Sequence, residues 1–317
     1  MFKKLVYSII MNVERIVSFL PSATELVFEL GCGDKLYGVT HECEYPNEAK
    51  LKLRIIESVF DSNSLSSKQI DEKILELMSE GKEIFRLNAE NLKDANPDLI
   101  ISQETCKVCS AYTDQVENAV NILDKKLDVL TINPHNIEDI LQTIIDISKK
   151  IGSEQQGIKL VRRLIKRINY IKNKKYIRCP NVIAIECIDH FFTAGHWVPE
   201  MIEFVGAKNL ISKKGEQSRR MTFDEIKNEE PDIIILMPCG FDVERTIKEY
   251  KKTLEDNLNW KTLKAVKDQN VFAVDANSFF SKPSLRTITG IEILGKILQP
   301  EIFNELEVPP KSYRKII

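Results

Sequence analysis

NLKDANPDLIISQETC (91–106) and FDEIKNEEPDIIILMPC (223–239) follow one plan: an amphipathic helix, a Pro-Asp pair, an apolar strand, then a polar loop containing cysteine. A short unbroken apolar run of this kind fits a parallel strand covered on both faces. The duplication therefore predicts two α/β lobes of similar build. RIVSFL (15–20) reads as a strand stopping at Pro21, and SATELVFELG as the helix after it, with Ser22 and Glu25 at capping-box spacing and Gly31 as its stop. KLYGVT (35–40), PDLIIS (97–102) and LDVLTI (127–132) read as further strands of the first half, with KQIDEKILELMSEG (68–81) as a helical insertion. NVIAIECI (181–188), PDIIIL (231–236) and NVFAVD (270–275) are the strands of the second half. From Ile137 to about Lys175 only helical periodicity is present, broken once at IGSEQQG. A helix of about 20 residues spans roughly 30 Å, enough to bridge two lobes. The expected fold is α/β, two Rossmann-like lobes joined by a long rigid helix: an N-terminal lobe (1–135), a helical connector (136–177) and a C-terminal lobe (178–317).

The bulk numbers narrow the function. Lys plus Arg is 45 against 47 for Asp plus Glu, a net charge of −2, so nothing marks a nucleic-acid surface. No stretch approaches the ~20 apolar residues of a membrane span. The N-terminus, MFKKLVYSIIMNVERIV, begins like a secretory signal, but its apolar run breaks at Asn12 and Glu14 and no small-residue cleavage site follows. That predicts a cytoplasmic, monomeric protein with free thiols; an extracytoplasmic protein held at the membrane through a transporter is the alternative.

In open α/β sheets ligands collect at the carboxyl ends of the strands. The segments there are PSATE, THECEYP, QETCKVCSAY, NPHN, DHFFTAGHWVPE, MPCGFDVE and ANSFFSKPS. They hold all four histidines (His41, His135, His190, His196), together with Cys43, Cys106, Cys109, Trp197, Phe279 and Phe280. Aromatic walls with a few polar groups are the usual make-up of a small-molecule cleft. His41, Cys43, Cys106 and Cys109 leave three readings open. A zinc site would draw on the Cys-x-x-Cys pair and the His-x-Cys pair. A disulfide or redox dithiol would use Cys106 and Cys109. Lining of the cleft would bring His41 or a thiol to a bound metal and Gln103 to a ligand amide, with Glu42 beside them. In the second half His196 and Trp197 are expected on the cleft, the indole stacking on a flat ligand. One of Phe279 and Phe280 would face the cleft and the other the core, while Trp260 packs internally. Glu186, inside an apolar strand, needs a partner such as Arg219, Arg220 or the ligand, because an unpaired buried carboxylate costs several kcal/mol.

RIVSFLPSATELVFELGCGDKLYGVTHECEYP, PDLIISQETCKVCSAY, TAGHWVPEMIEFVGA, SRRMTFDEI and PCGFDVERT together resemble the cobalamin-binding proteins of the metal-chelate substrate-binding superfamily, which also contains haem and ferric-siderophore carriers of ABC importers. The resemblance runs from about Arg15 to Pro300. It implies the class III substrate-binding-protein architecture, a corrinoid held between the lobes with little hinge motion, and no catalysis. It also implies an ABC importer permease as partner, docked through one acid on each lobe, seven residues before the proline of the Pro-Asp pair: Glu90 and Asp224 here. First-turn acids also complement a helix dipole, which is the structural reading of the same two residues. Two rivals follow. One is a haem or siderophore carrier with the same cleft. The other is a cysteine-dependent redox or metal-chelatase enzyme, whose turnover would vanish on Cys106→Ser or His41→Ala.

Overall fold

The computed structural model describes residues 13–104, 111–125 and 127–317. The first lobe runs β1 (Ile16–Ser18), α1 (Pro21–Glu29), β2 (Leu36–Thr40), β3 (Leu53–Ser58), α2 (Ser67–Ser79), β4 (Phe85–Leu87), α3 (Ala89–Ala95), β5 (Leu99–Gln103), α4 (Ala111–Leu123) and β6 (Asp128–Ile132). Two helices follow, α5 (Ile137–Lys150) and α6 (Glu154–Lys172). The second lobe runs β7 (Asn181–Cys187), β8 (Phe192–Thr193), α7 (Val198–Phe204), β9 (Lys208–Asn209), α8 (Phe223–Asn228), β10 (Ile233–Leu236), α9 (Val243–Thr253), α10 (Lys264–Lys267), β11 (Val271–Val274), α11 (Ala276–Phe279), α12 (Thr287–Leu298), α13 (Pro300–Phe303) and β12 (Tyr313–Lys315).

Each lobe is a sheet flanked by helices, as expected. The first sheet has the order β4-β3-β2-β1-β5-β6 and is parallel except for β4. The second has the order β12-β11-β10-β7-β8, with β9 also on β7; its β11-β10-β7 centre is parallel. The Pro-Asp pair has the same task in both. Asp98 accepts the backbone N–H groups of Glu14 and Arg15, both at 2.9 Å, and Asp232 accepts that of Asn181 at 2.8 Å. Each carboxylate thus ties the strand behind it to the start of the lobe's first strand, fixing β5 beside β1 and β10 beside β7.

The local starts of helices differ from expectation in one place. Pro21 occupies the first turn of α1, where its missing N–H and fixed φ fit. Leu20 therefore becomes the N-cap and no side chain caps the helix; Ser22 lies inside it and Glu25 turns elsewhere. The Thr222–Glu225 spacing does form a reciprocal capping box on α8, and Ser66 with Gln69 forms another on α2. The connector is a helical hairpin, broken at Ile151–Ser153 within IGSEQQG, where Gly152 takes φ +79°. Gly157 of α6 lies so close to Ser148 of α5 that a Cβ there would be 2.0 Å from Ser148 Oγ. The inward stripe Ile137, Ile140, Ile144 and Ile147 of α5, and Leu160, Leu164, Ile168 and Ile171 of α6, belongs to one buried cluster reaching Ile16 and Leu99 in the first lobe and Val182 and Ile235 in the second. The lobes therefore share an apolar core through the connector, which opposes hinge motion between them.

Candidate ligand cleft

The loops expected at the ligand site lie at the strand ends where the lobes face one another, and named contacts cross between them there. Arg286, just before α12, reaches Glu25 of α1 with Nε to Oε2 at 3.1 Å and Nη2 to Oε1 at 2.5 Å. The Glu25 side chain is 2% exposed and that of Arg286 18%. The guanidinium lies 4.3 Å from the centre of the Tyr45 ring and 5.8 Å from that of Phe279. At the end of β6, His135 stacks on His196 with ring centres 5.7 Å apart and planes at 28°. A third crossing comes from the stretch between β3 and β4. There Glu249 of α9 accepts the Ser67 backbone N–H at 2.9 Å and the Ser67 hydroxyl. Arg245 donates to the carbonyls of Ser62 and Leu65, and Arg220 pairs with Asp71 at 2.6 Å.

The THECEYP loop is pinned from below. Arg54 donates to the carbonyls of Thr40 and Cys43. His41 is half-buried; its N–H bonds to Ile56 O at 2.9 Å and its ring sits 5.9 Å from that of Phe85. Cys43 does not join it. Its thiol is fully buried between the Thr24 and Thr40 hydroxyls at 3.2 and 3.4 Å, and burial pushes its pKa up. Cys43 is thus turned into the core, while the zinc reading also draws on Cys106 and Cys109. Among the described residues no group of three or more His, Cys, Asp or Glu is placed to hold a metal. Cys106 and Cys109 lie outside the described residues. Gln103 ends β5 half-buried, and Glu42 is exposed.

In the second lobe His196 adopts φ +53° and its N–H bonds to Glu216 O at 2.6 Å. Gly195 precedes it because a Cβ there would fall 2.5 Å from Ser218 N. Burial, and then the facing His135, lowers the His196 pKa. Trp197 is 5% exposed and its indole N–H bonds to Phe280 O at 2.9 Å. It anchors the start of α7 in the core, so the expected stacking face is covered. Phe280 is buried beside it, while Phe279 lies under Arg286. Trp260 packs internally, stacked on Phe191. Glu186 takes the Ser218 hydroxyl, not Arg219 or Arg220, which turn to Glu225 and Asp71.

Cys239, in the MPCGFDVE loop, is a centre that no sequence spacing singled out, and groups from both lobes gather around it. Its thiol is open to the cleft but surrounded by protein, and desolvation, then Glu186 and Glu42, push its pKa up to about 12. Ser281 and Lys282 from the second lobe also act on it, and Lys282 Nζ is held by Asn277 Oδ1 at 2.8 Å. Glu42 comes from one lobe and Glu186 from the other, so two carboxylates face the same space. Of the arginines beside the THECEYP loop, Arg54 is held by its backbone carbonyls and Arg286 by Glu25.

The profile of a family described as "Periplasmic binding protein" matches residues 16–278. The uncharacterized ABC transporter substrate-binding lipoprotein YvrC of Bacillus subtilis is 26% identical over 300 residues, covering 92% of this chain and 82% of its own. Among solved structures, the periplasmic vitamin B12 binding protein BtuF of Vibrio cholerae superposes with a TM-score of 0.64 at 18% identity, covering 93% and 99% of the two chains. The periplasmic haem binding protein HutB of the same organism gives 0.66 at 18% identity, covering 90% and 99%. The expected cytoplasmic location is overturned by these findings: the family is named for periplasmic proteins, and the relative YvrC is a lipoprotein.

Proposed function

The chain belongs to the periplasmic binding protein family, whose members serve ABC importers without catalysis, and on that premise we propose that it binds a corrinoid between its lobes and presents it to a permease. The observation that carries the ligand is the charge of the cleft. Glu42 and Glu186 bring two carboxylates to the surroundings of Cys239 from opposite lobes, against the one lysine Lys282, while Arg286 is bound by Glu25. A corrin ring carries peripheral amides, whose N–H groups donate well to carboxylates. Haem propionates and most ferric siderophores are anionic and would find the Arg286 fork already occupied by Glu25. Gln103 completes the proposed contacts, with His41 and His196 as imidazoles within the same frame and Phe279 behind Arg286. BtuF, a vitamin B12 binding protein, shares the architecture.

One observation favours haem as a second reading. His135 and His196 bring two imidazoles together across the lobes, and neither Nδ1 has a hydrogen-bond partner among the described residues. Imidazole is a common iron ligand. For delivery, Glu90 and Asp224 support docking: both are exposed, each lies in the first turn of a helix, and each lobe supplies one.

Gel filtration of the purified protein after mixing with hydroxocobalamin tests the reading. Corrinoid colour should travel with the protein peak. A colourless protein peak would refute it.

A further inference from the structure

We infer that the Glu25–Arg286 pair is a specificity device, which excludes carboxylate-bearing chelates from the cleft by withholding its arginine. The inference deepens the corrinoid reading and rests on it for the location of the ligand. Three observations meet at one place. The pair is bidentate, with Nε and Nη2 of Arg286 both spent on Glu25. Glu25 is almost wholly buried, so its charge is held against the guanidinium rather than shared with water. Tyr45 then covers the guanidinium at 4.3 Å, and Nη1 makes no hydrogen bond among the described residues. An arginine is the residue suited to gripping carboxylates with two parallel hydrogen bonds. Here that fork is turned inward, onto an acid of the opposite lobe.

A structural cross-tie would not need the aromatic lid over the guanidinium. With both Nε and Nη2 of Arg286 bound by Glu25, this guanidinium does not offer its fork to an incoming carboxylate. The arrangement thus discriminates against carboxylates that the apolar walls would otherwise admit, since hydrophobic contact alone separates two macrocycles poorly.

The test compares hemin, its dimethyl ester and hydroxocobalamin by absorption titration on wild type, Glu25→Gln, the double variant Glu25→Gln/Arg286→Gln, and Tyr45→Ala, each checked for a cooperative thermal transition. Glu25→Gln should bind hemin at least tenfold more tightly than wild type. The double variant should lose that gain, and the dimethyl ester, which lacks carboxylates, should show none. Tyr45→Ala, which uncovers Nη1 without touching the buried pair, should gain several-fold and keeps the test open if Glu25→Gln fails to fold. Unchanged hemin affinity in folded Glu25→Gln or in Tyr45→Ala would overturn the inference. So would a gain that persists in the double variant or with the ester, or wild type already binding hemin as tightly as Glu25→Gln. Failure of wild type to bind hydroxocobalamin would sink the corrinoid reading instead, and would leave the hemin comparison readable.

Discussion

Glu249 of the second lobe holds both the backbone N–H and the hydroxyl of Ser67 in the first. Ser67 opens α2, so the carboxylate sits at a helix N-terminus, where negative charge is favoured. With Arg245 on Ser62 O and Leu65 O and Arg220 on Asp71, it makes the stretch between β3 and β4 a strap across one side of the cleft.

Removing that carboxylate should loosen the strap. Glu249 is buried, so Glu249→Ala leaves donors unsatisfied, at a cost of about 1–3 kcal/mol. Thermal unfolding should show the loss, and proteolytic nicking should appear between residues 59 and 81. An unchanged melting temperature with no new cleavage would show that the strap is held by other contacts.

The stacked imidazoles give a pH dependence. The His196 pKa is lowered by burial and by His135, with Glu200, Lys214, Glu138 and Asp139 in the same surroundings. The unfolded chain therefore binds a proton more readily than the folded one, and stability contributed here falls as pH drops below the ordinary histidine value of about 6.5. His196→Asn, which tolerates the positive φ, should flatten the melting temperature between pH 7 and 5. A wild-type slope retained in the variant would place the titration elsewhere.

Docking separates from binding. Reversing Glu90 and Asp224 together to lysine should abolish uptake by cells or vesicles carrying the cognate importer, because charge complementarity steers such encounters. Ligand affinity should stay within a few-fold, since both residues are exposed. Undiminished uptake would exclude them as docking acids.

The cleft carboxylates should matter in proportion to their contacts. Glu42→Gln and Glu186→Gln each replace a charged acceptor by a neutral one, and hydrogen bonds to charged groups contribute about 1.5–3 kcal/mol. Corrinoid affinity should fall roughly ten- to hundredfold in the double variant, read by isothermal titration. Equal affinities would move the amide contacts to other residues.

The strands at the sheet centres were legible because burial on both faces leaves an unbroken apolar run, as in PDLIIS and PDIIIL. Of the peripheral strands β6 was legible, but β3, β4, β8 and β9 were not. β3 is fully buried only at Ile55 and Ile56, β4 has three residues, and β8 and β9 two each, so their pairing is dictated by neighbours rather than by pattern. The loops of the site were legible from strand ends, but side-chain direction was not. Trp197 reads as a loop residue between Gly195 and Pro199, yet α7 begins at the next residue and draws the indole inward. Glu25 and Arg286 are 261 positions apart, and only the folded chain relates them.

The central claim is most directly tested by titrating hydroxocobalamin and hemin in parallel into the wild-type protein and following the visible bands. The account predicts saturable one-to-one corrinoid binding, at least tenfold tighter than that of hemin. Tighter binding of hemin, or no saturable corrinoid binding at all, would contradict it.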